Sequence, residues 1–314
     1  MYRKILVTGG SGLVGHAIRN IKEDYSGREF IFSSSKDCNL VKLDETIEYV
    51  KKSKVDAIIH LAALSGGIEF SMKRPATLLR DNVLMNINVM ETARLCNLKK
   101  TVMTLSTGMY ANSVPKPILE EYIHDGSPHK SNYSYAFAKR LVDPLIKAYR
   151  TEYKMNVIGL VPNGILGEYS NYRYGESTMV PALIRRFYEN RKGDSKIIIW
   201  GDGTPLREMT YAEDIARAYM WCLDHYDSEQ ILHIGTTEEH SVKEVAYMIA
   251  EIMGVDKSRI EFDTSKPSGQ FRKNTDNSKF INLSGFKYTS FRTALEKTIK
   301  WFCENYDNKN VIRL

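Results

Sequence analysis

The chain has 314 residues, 43% hydrophobic and 26% charged, which fits a protein with a large core and excludes a disordered or fibrous one. Its net charge of +6 is modest, and pairs such as Lys51-Lys52 and Arg185-Arg186 lack interleaved aromatics, so they read as solvated helix faces and nucleic acid is not expected as a partner. No apolar run is long enough for a membrane span, the first strand begins at the initiator Met, and Cys38, Cys96, Cys222 and Cys303 lie far apart, so a cytoplasmic chain with reduced, mostly buried thiols and no metal is expected.

The first predicted element is a strand at Ile5-Leu6-Val7, running into Thr8-Gly9-Gly10-Ser11-Gly12-Leu13-Val14-Gly15. A short apolar run suits a strand buried on both faces, and Leu13, Val14, Ala17, Ile18 and Ile21 then recur at helical spacing. Between them the glycines have distinct tasks: Gly9 the tight turn, Gly12 the approach of backbone to a pyrophosphate, Gly15 the close packing of the helix. Phosphates would sit on the free N–H groups at the start of that helix, beside Ser11, Leu13 and Val14. This is the pattern of a dinucleotide site.

Glu29–Phe32 reads as the second strand, ending in Ser33-Ser34-Ser35-Lys36 where a cofactor's adenosine ribose would lie. Hydroxyls and a Lys at Ser34, Ser35 and Lys36 welcome a 2′-phosphate, which favours NADP(H), although Asp37, the group an NAD site would use, is one residue further on. Ala57–Ala63 is another sheet strand whose end, Leu61-Ala62-Ala63, is small enough for the cofactor to approach; His60 in it reads as structural. A helix is expected around Asn82–Cys96, with Val83, Ile87, Met90 and Leu95 on its apolar side. The strand Thr101–Leu105 delivers Ser106-Thr107-Gly108 to the edge where ligands of open α/β sheets collect. After a loop at 112–131 come one long helix from about Tyr133 to Tyr153 and a strand at Val157–Val161, with Pro162 next to the cofactor.

Beyond residue 165 the pattern loosens. A helix is expected at Met179–Asn190, a strand at Ile197–Trp200, a helix at Tyr211–Leu223 and a strand at Ile231–Ile234 returning to the first lobe. Alternation of strand and helix gives the fold class: α/β, a doubly wound parallel sheet of the Rossmann kind with a smaller C-terminal α/β lobe. The cofactor lobe takes residues 1–165 plus about 211–235, and the substrate lobe 166–210 and 236–314.

The helix after residue 132 carries Tyr135 and Lys139, one turn apart on the same face. An ammonium beside a phenol is expected to lower the phenol's pKa, and Ser106 is placed to hydrogen-bond a carbonyl that Tyr135 protonates after hydride attack. Tyr188 and Lys192 share the spacing but follow no comparable strand edge. Ser106, Thr107, Tyr135 and Lys139 are therefore the catalytic candidates, and Lys139 also serves the nicotinamide ribose.

Thr8-Gly9-x-x-Gly12-x-x-Gly15, His60-Leu-Ala-Ala63, Leu105-Ser106-Thr107 and Tyr135-x-x-x-Lys139 resemble the extended short-chain dehydrogenase/reductases. Ser131–Lys139, Val180–Arg186, Trp200–Glu208 and Asp263–Lys273 narrow the resemblance to the GDP-L-fucose synthase family over nearly the whole chain. The resemblance implies NADP(H), a GDP-linked 4-keto-6-deoxy sugar and a homodimer. It implies that Val180, Leu183 and Arg186 line the guanine and ribose site, that Trp200 belongs to the substrate site, and that Arg207 and Lys273 pair with the pyrophosphate.

Three positions depart from the family pattern. The family's Cys and His, which epimerise C3 and C5 before C4 is reduced, fall at Gly108 and Thr178, and its Asn falls at Gly164. Gly and Thr cannot serve as acid and base near neutral pH. The expectation is a C4 reductase that has lost epimerisation, the alternative a bifunctional enzyme using His124, His129 or Glu168 instead. Shorter side chains at all three positions are also expected to enlarge the pocket, which would admit a 6-deoxyheptose for surface polysaccharide. A sugar-nucleotide dehydratase would have an acidic pair where Gly108-Met109 stands, and a non-catalytic NADP-binding module would lack Tyr135 or Lys139.

Overall fold

The computed structural model describes residues 2–266 and 270–314, so Pro267-Ser268-Gly269 of the 263–273 motif lie outside the described residues. In chain order the first lobe is built from β1 (Lys4–Thr8), α1 (Leu13–Ile21), β2 (Glu29–Ser33), α2 (Leu43–Ser53), β3 (Ala57–His60), α3 (Ile68–Lys73), α4 (Pro75–Leu95), β4 (Lys100–Thr104), α5 (Tyr133–Arg140), α6 (Val142–Tyr153) and β5 (Val157–Pro162). There follow β6 (Gly164–Leu166), α7 (Met179–Glu189), β7 (Ile197–Trp200), β8 (Leu206–Tyr211), α8 (Ala212–His225), β9 (Leu232–Ile234), β10 (Glu239–Ser241), α9 (Val242–Met253), β11 (Ile260–Asp263), α10 (Ser278–Ser284) and α11 (Phe291–Asn305).

The main sheet has the order β2-β1-β3-β4-β5-β9 with every neighbouring pair parallel. Its strands β1, β3, β4, β5 and β9 are buried on both faces, and the edge strand β2 is half-buried. In β1, Ile5 and Val7 enter one core while Leu6 enters the other, and β3 repeats this with Ile59 and Ile58. The first core is closed by α1 and α8, the second by residues of α2, α4 and α6 such as Val50, Val89 and Ile146. The order in which strands are added switches sides at β1, with β2 on one side and β3 on the other, which leaves a crevice between β1 and β3 at their carboxyl ends.

A third core, built around Leu183, Phe187, Val245, Ile249 and Phe302, belongs to the second lobe, whose sheets are β10-β8-β6 and β11-β7. The sequence reading missed β6, β8, β10 and β11, and it began a helix at Tyr211, which closes β8. These strands are three to six residues long, too short to show periodicity. The division at 236–314 also needs correction: Phe280 is buried in the first lobe's core with Phe286 and Tyr288 packed against it.

Two helices differ from expectation. The helix from Tyr133 to Tyr153 is interrupted at Leu141, because Pro144 has no N–H to give the carbonyl of Arg140. The helix expected at Asn82–Cys96 starts earlier, at Pro75, and its buried side carries Asn82, Asn86 and Asn88 as well as Val89 and Met90. Val83 and Ile87 are half-exposed and Leu95 is exposed. The asparagines face inward because neighbouring backbone needs partners: Asn82 bonds both N–H and C=O of Leu64, Asn86 the carbonyl of Ala138, and Asn88 that of Leu40. Among the described residues no helix is long and apolar enough to cross a membrane. The four cysteines are free, Cys38 and Cys222 buried and Cys303 exposed.

Candidate active site

Gly9 adopts φ +70°, the left-handed conformation that allows the chain to turn sharply off β1, and the N–H of Gly12 bonds its carbonyl at 2.8 Å. The turn is packed on three sides. A Cβ at Gly9 would lie 2.8 Å from the nitrogen of Ala62, one at Gly10 2.6 Å from Cβ of Phe32, and one at Gly15 2.6 Å from Cα of Gly10. Gly15 thus lets the helix close on its own turn, and Gly10, which sequence reasoning left without a role, seats the turn on β2. Gly12 precedes α1 without a side-chain cap, and the first turn of α1 has no acidic residue, so its N–H groups are free for an anion. Ser11 is exposed beside them, Leu13 and Val14 half-buried.

Thr8 locks this turn to the end of β3. Its Oγ1 is 2.8 Å from Nδ1 of His60 and accepts weakly from the N–H of Ala62. His60 is wholly buried and held down to a pKa of about 3, by burial first and by Lys139 second, so it stays neutral and structural as expected. Leu61, Ala62 and Ala63 follow as a half-buried loop anchored by Asn82 at Leu64. At the end of β2, the N–H and Oγ of Ser34 both donate to Asp37, at 2.8 and 2.7 Å. These bonds hold the Asp37 carboxyl below its usual range and use up one of its oxygens on its own turn. Ser35 and Lys36 remain exposed there.

The strand edge of β4 delivers Ser106 and Thr107 opposite the first turn of α5. Burial pushes the Tyr135 phenol up to about 12, and a hydrogen bond with Ser106 works against the rise. The expectation that Lys139 lowers the phenol is corrected. Lys139 is 1% exposed, its Nζ donates to the carbonyl of Thr104 at 2.8 Å and stands 5.9 Å from the Tyr135 ring centre, and burial lowers its own pKa to about 8. Without bound anions, desolvation outweighs attraction at both groups. Thr107 is buried, and Oγ of Ser106 accepts from the N–H of Gly108. Arg140, unremarked in the sequence, fixes this turn by donating from Nε to the carbonyl of Met109 at 3.2 Å and from Nη1 to that of Gly126 at 2.8 Å. Pro162 ends β5 beside β9 and is buried.

The expected enlargement of the pocket is corrected at two of its three positions. A Cβ at Gly108 would lie 2.9 Å from Nδ2 of Asn132, so an amide already fills that space. One at Gly164 would lie 2.3 Å from the carbonyl oxygen of Glu208, so the glycine there serves the pairing of β6 with β8. The adjacent Asn163 is buried, donating to Glu208 and to the carbonyl of Thr236 while accepting from Thr210. Only Thr178, exposed as the N-cap of α7 without a capping bond, leaves open space.

Of the residues expected on the guanosine, Val180 and Leu183 are buried in the second lobe's core, and as the structure stands they pack that core. Arg186 reaches the carbonyl of Ile198 with Nη1, and Trp200 is 56% exposed beside it on β7. Arg207 and Lys273 stand together: burial lowers both, and Arg207 further depresses Lys273, to about 8. Two partly desolvated cations side by side favour an anion between them. His124 is engaged by Asp143 at 2.8 Å, His129 by Ser131 at 2.7 Å, and Glu168 by the hydroxyl of Tyr211 at 2.8 Å. Among the described residues no group of three or more His, Cys, Asp or Glu is placed to hold a metal ion.

Residues 5–235 match the NAD dependent epimerase/dehydratase family. The GDP-L-fucose synthase of Dictyostelium discoideum is 38% identical over 310 residues, 97% of each chain. The chain belongs to the GDP-L-fucose synthase family. A crystal structure of a GDP-L-fucose synthetase from Naegleria fowleri bound to NADP superposes with a TM-score of 0.92 at 32% identity, covering 99% of this chain and 96% of that one. A GDP-6-OMe-4-keto-L-xylo-heptose reductase from C. jejuni has a TM-score of 0.88 at 23% identity, covering 96% and 98%, and shares the fold. The family and the doubly wound sheet read from the sequence both stand.

Proposed function

We propose that the chain is an NADPH-dependent C4 reductase of a GDP-4-keto-6-deoxy sugar that leaves C3 and C5 untouched. The observation that carries the reading is a contrast between the reducing groups and the positions where the family pattern has its acid and base. A phenol kept protonated at neutral pH stands beside Ser106, while the positions of the family's acid and base hold Gly108, covered by an amide, and the exposed Thr178. His124, His129 and Glu168, the alternative bases, each have a partner already.

The glycine turn and the uncapped start of α1 fit a dinucleotide pyrophosphate, and Ser35 and Lys36 fit a 2′-phosphate while Asp37 is held by Ser34. NADPH, when bound there, supplies the hydride. Ser106 donates to the C4 carbonyl oxygen and so stabilises the charge that develops on it. Tyr135, protonated across the physiological range, gives its proton to the resulting alkoxide. Lys139, held at the carbonyl of Thr104 and 5.9 Å from the Tyr135 ring centre, would hold the nicotinamide ribose. Arg207 and Lys273 take the GDP pyrophosphate, which relieves their mutual repulsion, and Trp200 and Arg186 flank the nucleoside.

A longer sugar gains no room at Gly108 or Gly164, so sugar length rests on the open side at Thr178. We place a second copy of the chain on the stripe Leu79, Val83, Ile87 of α4, Tyr133 and Phe137 of α5 and Leu141 just after it, where exposed or half-buried apolar groups recur each turn. A solution mass equal to one chain would overturn that. The reaction is tested by supplying GDP-4-keto-6-deoxy hexoses and heptoses with NADPH in heavy water. Expected is one new hydrogen at C4 from NADPH, with C3 and C5 carrying no deuterium above the rate of uncatalysed enolisation; enzymatic deuterium at either carbon overturns the reductase-only reading.

A further inference from the structure

We infer that Asn132 determines which sugar is accepted, by donating an amide N–H to the hydroxyl on C3, the ring carbon next to the reacting carbonyl. The inference deepens the reduction-only reading and rests on it. Asn132 is the N-cap residue of α5, a position where Asn ordinarily turns its side chain back to bond the helix's own N–H groups. Here it makes no such bond. Its Oδ1 accepts from Oγ of Ser71 at 3.5 Å, and its Nδ2 lies 2.9 Å from the point a Cβ would occupy at Gly108. Oγ of Ser106 is 3.5 Å from that same point. Ser71, Asn132 and Tyr135 line one cavity of about 390 Å³, with Leu78 as part of its apolar wall.

The amide therefore shares a cavity with Tyr135 and stands, with Ser106, against the space at Gly108, close to the two groups proposed to hold the C4 oxygen. A carboxamide is neutral at every physiological pH. It can hold a hydroxyl by donating to it, but it cannot take a proton from the C–H of the same carbon. A side chain at 108 would push this amide aside, and glycine leaves it in place. A helix cap has been given up in exchange for a polar contact with substrate.

The test is steady-state kinetics with NADPH and two sugars, GDP-4-keto-6-deoxymannose and its 3-deoxy counterpart, which lacks the C3 hydroxyl. Asn132→Ala should raise KM about tenfold for the first sugar, with kcat within threefold, and leave KM for the 3-deoxy sugar unchanged. NADPH affinity, read by nucleotide fluorescence, should stay within twofold. Gly108→Ala, whose methyl pushes the amide aside, should reproduce this selectivity and serves as the second variant if Asn132→Ala fails to fold. The double variant should lose no more than either alone. An equal KM increase for both sugars, or none for either, overturns the inference while the function stands. Wild-type enzyme that oxidises NADPH with neither sugar overturns the function itself, and the inference with it.

Discussion

The glycines of the first turn and Gly108, at the proposed sugar site, are the same residue put to different uses. Around Gly9, Gly10 and Gly15 the neighbours are backbone atoms and Phe32 of the turn's own βα unit and the adjacent strand, so the space is excluded by the fold itself. At Gly108 the neighbour is the end of a flexible side chain, Asn132 Nδ2, from a helix start 24 residues later in the chain. The cofactor cradle is thus made of main chain and is nearly independent of side-chain identity. The sugar wall is made of side chains that replace one another. The cradle admits no side chain, whereas at Gly108 a side chain could enter by moving the amide of Asn132.

The largest expected effect lies where the two meet. Tyr135→Phe removes the phenol hydroxyl that bonds Ser106 and leaves a ring of the same size in place. Turnover should fall by about a thousandfold or more, with NADPH affinity within about twofold. Stopped-flow absorbance of the nicotinamide and equilibrium titration read the two quantities separately. A variant retaining a tenth of wild-type turnover would move the proton donor elsewhere.

The next effect breaks the cradle alone. Gly15→Val places a branched side chain 2.6 to 2.7 Å from main-chain atoms of Gly9 and Gly10, which have no rotamer to change. The turn must open, so NADPH should bind about a hundredfold more weakly while the thermal midpoint of the free protein falls by several degrees. Gly108→Ala, by contrast, should leave NADPH binding alone. Equal loss of NADPH affinity in both variants would erase the distinction between main-chain cradle and side-chain wall.

The same distinction explains what the sequence allowed to be read. The strand, glycine turn and helix from Lys4 to Ile21 are contiguous, and each glycine answers a local need, so spacing alone located them. Tyr135 and Lys139 were legible because a helix puts residues four apart on one face. Their titration was not, since it depends on burial and, for Tyr135, on Ser106 from a strand end 29 residues earlier. Gly108 and Gly164 read as vacated space because nothing adjacent shows that Asn132 and the Glu208 carbonyl occupy it. The inward asparagines of α4 ran against the apolar periodicity used to find the helix, because unpaired backbone of the neighbouring loop, not hydrophobic contact, sets that face.

The smallest effect concerns how the wall is held to the rest of the molecule. Glu208 on β8 is 7% exposed and accepts from the N–H of Thr275 at 3.1 Å, from Oγ1 of Thr275 at 3.0 Å and from Nδ2 of Asn163 at 3.2 Å. It thereby ties the segment entering α10, which packs in the first lobe, to the strand that carries Arg207. Burial pushes its carboxyl up to about 7, and these hydrogen bonds only partly oppose the rise. A pKa raised on folding means the folded state binds the proton more tightly than the unfolded chain. The stabilisation is therefore complete below the unfolded value near 4.5 and is lost as pH rises through about 7. Between pH 6 and pH 8 the loss amounts to about 1.4 kcal/mol, a shift of roughly 2–4 °C in the thermal midpoint. Glu208→Gln keeps the shape and an acceptor oxygen but cannot ionise. The measurement is the change in midpoint between pH 6 and pH 8 for wild type and variant in the same buffers, so that all other titrating groups cancel. The variant should lack about 2–4 °C of the wild-type decline. Identical declines in the two proteins would show that Glu208 is ionised throughout, with its charge carried by the donors of Thr275 and Asn163 and by nearby Lys273.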